Sequence, residues 1–292
     1  VRSGAGAVVA RVPAPALFVV SGLAQYGGAA VAIGLFDRIP AAGVAWLRLV
    51  VAALVLLAWR RPWRTPWTRR SLGAAVAFGV VLATMNVTFY LAIEHLPLGT
   101  AVAIEFIGPV AVAALTGSGW RDRLAIGLAA VGVVLLAGVT LSTGEGEVVL
   151  GLALILAAAA CWAGYVVLGR RVAVGHDGVT SLAVAMAAGA LVWAPVLAGR
   201  GAPVLTSPAL VLAVVAVAVL SSVVPYALEQ TVLRRVSSAT FAVLLALLPA
   251  TAAVVGAVAL RQWPHPVDVV GLVLVSAAIA LTSRRRTPPD GA

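Results

Sequence analysis

Residues 85–113 read MNVTFYLAIEHLPLGTAVAIEFIGPVAVA, and this stretch decides the fold. One apolar segment closes on Phe89-Tyr-Leu-Ala-Ile93, a short polar break (Glu94, His95) follows, and a second apolar segment begins at Leu98. A break this short forces the two segments to run antiparallel. Spans at 71–93 and 98–116 are each long enough, at about 1.5 Å per residue, to cross a hydrocarbon core of roughly 30 Å.

The same pattern returns downstream. A shift of 140 residues carries LPLGTA (96–101) onto VSSATF (236–241) and Pro109 onto Pro249. Punctuating the rest of the chain at charges, prolines and glycines gives spans near 12–34, 41–59, 71–93, 98–116 and 123–141. A second set follows near 148–169, 179–199, 207–232, 237–259 and 267–283. Five spans per copy is an odd number, so the second copy must be inverted in the membrane. The charges follow the inversion, since Glu94 and His95 align with Arg234 and Arg235. The expected fold is therefore an all-α integral membrane protein of ten transmembrane helices in two inverted five-helix repeats, 12–141 and 148–283. The segment TLSTGEGE (140–147) divides them.

Composition agrees. The chain is 62% hydrophobic and 10% charged, whereas a soluble domain is about a quarter charged, so most of its surface is expected to face lipid. All 20 basic residues are arginine and the net charge is +10. They sit in short clusters between apolar spans rather than on one polar face, which argues against a nucleic-acid partner. Sixteen fall in loops on one side, while Arg38, Arg200 and Arg261 fall on the other and Arg48 lies within a span. This bias places both termini in the cytoplasm, in a bacterial-type inner membrane. Trp59, Trp63, Trp67, Trp120 and Trp263 lie at or near span ends, where an interfacial aromatic belt belongs.

Cys161 is the one cysteine, and His95, His176 and His265 stand in separate loops without metal-ligand spacing, so no metal or cofactor is expected. There is no H-E-x-x-H, Walker loop or G-x-S-x-G, and Gly144-Glu-Gly-Glu147 reads as a solvated turn. An enzyme is not expected, and any transport would be secondary.

Ionisable groups inside spans are costly unless paired or hydrated, which makes them functional candidates. Gln25, Arg48, Asn86 and Glu105 all fall roughly 10–14 Å below the outer surface, counted along four spans. Arg48 and Glu105 could neutralise each other, or the whole layer could line a cavity for a polar solute; both readings stay open. Asn86 and Tyr90, four residues apart, share a helix face. Glu229 lies nearer the cytoplasmic interface, where it could snorkel. Cys161, Trp162 and Tyr165 sit away from the interface, as packing or as a wall for a solute. Pro109 and Pro249 are expected to kink their helices. Ala75/Gly79 and Ala185/Gly189 are small-xxx-small pairs that permit close helix approach.

GVAWLRL (43–49), the 85–113 stretch, ACWAGYVVLGRR (160–171) and VPYALEQTVLRRVSSATFAVLLALLPATAAV (224–254) resemble the drug/metabolite transporter superfamily. More closely, they look like its EamA-type exporters of threonine and homoserine. The resemblance implies two inverted repeats around a central cavity and an inner-membrane exporter of small amino acids or related metabolites. It also implies exchange for protons, and leaves a homodimer open. Carried over residue by residue it covers Arg48, Met85, Asn86, Tyr90, Glu105, Pro109, Trp162, Tyr226, Glu229 and Pro249. Arg48 would hold or neutralise a carboxylate, Glu105 would meet an ammonium or a proton, and Asn86 and Tyr90 would supply hydrogen bonds. Two positions depart from the pattern. Leu248 stands where such exporters often carry Glu, and Arg261-Gln262 where they often carry Gly-Glu. The rival readings are an exporter of drugs or amphipathic cations, relying on Trp162, Tyr165 and Tyr226, and a non-transporting membrane scaffold or sensor.

The topology is testable by labelling. In a Cys161→Ser background, Thr143→Cys is expected to react with an impermeant maleimide added outside cells, and Thr65→Cys is not. The reverse pattern would invert the orientation.

Overall fold

The computed structural model describes residues 12–116, 119–143, 147–172, 178–233, 235–236 and 238–283, and every regular element among them is helical. In hydrocarbon each backbone N–H and C=O needs an internal partner, and a helix supplies them all within one segment. The helices are α1 (Ala14–Ile33), α2 (Ala41–Arg60), α3 (Arg69–Ala92), α4 (Leu98–Glu105), α5 (Ile107–Leu115), α6 (Trp120–Thr143) and α7 (Val148–Val172). They continue as α8 (Gly178–Gly201), α9 (Pro208–Ala218), α10 (Val224–Leu233), α11 (Ser238–Leu245), α12 (Leu248–Leu260) and α13 (Pro266–Ser283). Prolines set several starts: Pro13, Pro40 and Pro97 stand immediately before α1, α2 and α4. Thr68 opens α3 through a reciprocal capping box with Ser71.

Seven helical stretches are long and apolar enough to cross a membrane, and three shorter apolar ones (Pro208–Val223, Leu248–Leu260, Pro266–Thr282) follow them. Their outer faces carry exposed Leu191, Leu212 and Val258, as a lipid-facing surface does. The chain is a multi-pass, all-α membrane protein.

Three stretches are interrupted. α4 gives way to α5 at Phe106, and α11 to α12 at 246–247. Where the sequence predicts a kink inside a continuous helix, the chain ends one helix and starts another. Pro109 and Pro249 thus fall in first turns, where a missing N–H costs nothing. Between α9 and α10 the backbone widens into a π-helical turn, Val219–Val223. Pro225 follows at once, and the wider turn gives its ring room that an α-helical carbonyl four residues back would occupy.

The bundle is held by a few extensive faces: α2 on α8, α3 on α7 and α8, α6 on α13, α1 on α10 and α12, and α4 on α12. Between α3 and α8 the two small-residue pairs meet. A Cβ on Gly79 would run into the carbonyl of Ala185, and one on Gly189 into the carbonyl of Gly79. With no hydrophobic drive between helices in lipid, such backbone contact is a main source of association energy.

Gly79→Ala is expected to cost about 1–3 kcal/mol by overpacking. A Cβ at Gly73, on the same helix, would meet nothing within 4 Å, so Gly73→Ala should be neutral or slightly stabilising. Thermal unfolding of the two purified variants checks the contrast.

Candidate functional site

A cavity of about 190 Å³ lies inside the bundle, walled by α1, α2, α3, α4, α7, α8, α10 and the π turn. It gathers Gln25, Arg48, Met85, Asn86, Tyr90, Glu105, Trp162, Tyr165 and Glu229, drawn from both halves of the chain. A larger recess of about 620 Å³ lies among the loops, lined by His95, Trp263, His265 and Asp268, and contains none of them.

Arg48 anchors one wall. Its Nη2 donates to Asn86 Oδ1, and its Cζ lies 4.9 Å from the centre of the Tyr90 ring. Asn86 is itself oriented, because its Nδ2 donates to the Leu82 carbonyl at 2.8 Å and so turns its oxygen toward the guanidinium. A guanidinium keeps its charge in any setting, so a neutral acceptor and an aromatic face are what the protein offers it. The Tyr90 ring is fixed between Phe36 and Phe89, with centroids 6.3 and 6.1 Å away. Its hydroxyl is buried with no hydrogen-bond partner among the described residues.

Glu105, the last residue of α4, is 8% exposed and lines the cavity. Among the described residues its carboxylate makes no hydrogen bond and no ion pair within 4.0 Å. The direct Arg48–Glu105 pair considered from the sequence is not formed. Arg48 is spent on Asn86 and Tyr90, and Glu105 faces the cavity without a protein partner.

Glu229 lines the same cavity, half-buried, where its Oε1 accepts from Ser21 Oγ at 3.3 Å. The π turn accounts for this, since one extra residue in a turn rotates everything after it by about 100°. The turn is itself docked on α1. Ser221 Oγ donates to the Gln25 carbonyl at 3.1 Å, and a Cβ on Gly28 would collide with that hydroxyl.

Aromatics close the remaining side. Trp162 packs on Phe106 and Tyr165 on Phe78, both with centroids 4.6 Å apart. Cys161, beside Trp162 on α7, is half-buried and outside the lining. The side chain of Tyr226 lies outside the described residues. Sequence reading missed Ser21, Tyr26 and the Ser221-Ser222 pair. The signals were there: Ser21 stands four residues before Gln25, and Ser221-Ser222 interrupts an otherwise apolar run.

What these helices enclose is a small compartment lined by an arginine and two acidic side chains inside an apolar bundle, an arrangement that suits a membrane transporter. The chain belongs to the EamA-like transporter family, whose model matches residues 149–284. It is 36% identical over 252 residues to the threonine/homoserine exporter RhtA of Escherichia coli (strain K12), covering 86% of this chain and 85% of that one. The Salmonella typhimurium (strain LT2) protein of the same name is 35% identical over 261 residues, covering 88% of each chain. An uncharacterized transporter of Archaeoglobus fulgidus is 26% identical over 273 residues, covering 87% of this chain and 91% of its own. A crystal structure at 20% identity superposes on 91% of this chain and 95% of its own with a TM-score of 0.57, a likeness of fold alone. The protein is thus a transporter and not an enzyme.

The observed contacts order the pairwise energies. Double-mutant cycles on unfolding are expected to give Arg48/Asn86 a coupling of about 1–3 kcal/mol, and Arg48/Glu105 a clearly smaller one. A larger Arg48/Glu105 term would mean that the two charges, not the Asn86 contact, stabilise the site.

Proposed function

We propose that this protein is a secondary-active exporter of small zwitterionic amino acids, of the threonine/homoserine type, driven by proton exchange across a bacterial-type inner membrane. The observation that carries the reading is the division of charge in the central cavity. Arg48 with Tyr90 offers a cationic, hydrogen-bonding corner for a carboxylate, and Glu105, without a protein partner, offers an anionic one for an ammonium or a proton. A solute bearing both signs satisfies both corners, where a simple cation leaves Arg48 unanswered. Size argues the same way: about 190 Å³ is below the roughly 300–1,000 Å³ of sites for drug-sized ligands. The solute class is supported by the relatives named as threonine/homoserine exporters.

The same reading gives the protein ten spans in two inverted repeats, 12–141 and 148–283, with both termini cytoplasmic. The arginine distribution supports the orientation. Pairs of cavity positions support the repeat. A shift of 140 carries Leu82, Met85 and Phe89 of α3 onto Ser222, Pro225 and Glu229, and all six line the cavity. A shift of 136 carries Gly28, which meets Ser221, onto Gly164, which meets Val81. The broken helices at Phe106 and at 246–247 also correspond.

The two departures from the family pattern have structural occupations. Leu248 is buried against Gly22, and Gln262 Oε1 accepts from the backbone N–H of Leu98 at 2.9 Å, capping α4. Coupling then falls to the acids in the cavity, Glu105 first.

Cells overexpressing the protein and loaded with threonine or homoserine are expected to release them faster and to tolerate higher external concentrations. Glu105→Gln should express normally and still exchange solute for solute while losing flux driven by a pH gradient. Unchanged efflux across a broad amino-acid panel would sink the amino-acid reading, and intact proton-driven efflux in Glu105→Gln would remove Glu105 from coupling.

A further inference from the structure

The turn joining α2 to α3 reads RRPWRTPWTRR (60–70), five arginines and two tryptophans in eleven residues, directly after Trp59. No Asp or Glu occurs between Arg38 and Ile93. A loop that only orients a membrane protein needs positive charge and no particular shape. This one has a shape. Arg61 takes a left-handed conformation (φ 47°), a 3₁₀ turn follows over Pro62–Arg64, and Trp67 Nε1 closes back onto the Pro62 carbonyl at 3.0 Å. The Thr68–Ser71 capping box then fixes the entry to α3. At its α2 end Arg60 Nε donates to Thr180 Oγ1 at 3.4 Å, tying the turn to α8.

Held this way, Arg61, Arg64, Arg69 and Arg70 are exposed, and among the described residues none has an acid within 4.0 Å. Trp59 and Trp63 are 58% and 67% exposed beside them, and exposed Val55 continues the Trp59 face of α2 one helical turn deeper. Cationic side chains, interfacial indoles and a lipid-facing apolar strip stand in the order in which a phospholipid presents phosphate, glycerol and acyl chain. We propose that this turn is a binding site for an anionic phospholipid, with its headgroup phosphate on the arginines and its chains along Val55 and Trp59. The site is independent of the transported solute.

The test uses purified protein in neutral detergent, titrated separately with phosphatidylglycerol, phosphatidylcholine and inorganic phosphate. Bound lipid is read by native mass spectrometry and Tm by thermal unfolding. Phosphatidylglycerol is expected to be retained and to raise Tm, and the other two are not. Arg61→Gln/Arg64→Gln should weaken phosphatidylglycerol binding about fivefold per arginine removed. Arg121→Gln/Arg123→Gln, which removes the same charge at the start of α6, should leave it unchanged. If the first variant fails to fold, Arg69→Gln/Arg70→Gln, exposed on the first turn of α3, serves in its place. Equal losses from both regions would overturn the proposal in favour of net charge alone. Inorganic phosphate matching the lipid, phosphatidylcholine binding as well, or unaltered affinity in the turn variants would overturn it too.

Discussion

One permanent charge in an apolar bundle sets the terms for this protein. Leaving the guanidinium of Arg48 in a dry interior without partners would cost several kcal/mol. The chain meets that demand with an amide oxygen and a π face rather than with a carboxylate. Both partners come from α3, so the contact also fixes α2 against α3. Because the arginine is answered by neutral groups, its charge is not cancelled. On the proposed reading, that remaining field is what a substrate carboxylate would meet.

The carboxyl groups are managed in the opposite way. Glu229 is steadied by one serine hydroxyl, and Glu105, with no hydrogen bond or close ion pair among the described residues, only by the more distant charge of Arg48. A buried acid without partners is unfavourable at rest, and the cost is recovered only when a cation or a proton arrives. A transporter needs groups of that kind, since one satisfied by its own protein has no reason to bind and release cargo.

Much of this was legible in the sequence, for reasons specific to particular residues. Helix positions followed from apolar run lengths broken at Pro40, Pro97 and Arg60-Arg61, because lipid allows few alternatives to a helix. The layer of Gln25, Arg48, Asn86 and Glu105 followed from counting depth along each span, and the structure brings those four side chains to one cavity. Partnership was less legible. Depth places Arg48 and Glu105 at one level but says nothing of azimuth around the bundle, so a direct pair looked reasonable and the contact with Asn86 that forms was not foreseen. The direction of Glu229 was hidden for a different reason. Counting at 3.6 residues per turn does not include the rotation that the π turn ahead of Pro225 gives to the helix after it. The serines at 21, 221 and 222 carried no charge to draw notice.

The contact between Gly79 and the Ala185–Gly189 segment bears on how such a molecule can move. Two backbones touching directly have no side chains between them whose rotamers could let one slide past the other. α3 and α8 are therefore expected to move together, taking Asn86, Tyr90, Leu182 and Met186 of the cavity wall with them. Compliance is left to the places where helical hydrogen bonding is already interrupted: the breaks at Phe106 and 246–247 and the widened turn at Val219–Val223. Two of these three adjoin the carboxyl groups, Glu105 directly before the first break and Glu229 on the helix that follows the π turn. Arg48, on α2, would follow that pair only through its hold on Asn86 and Tyr90, while the acids would move with the segments that bend.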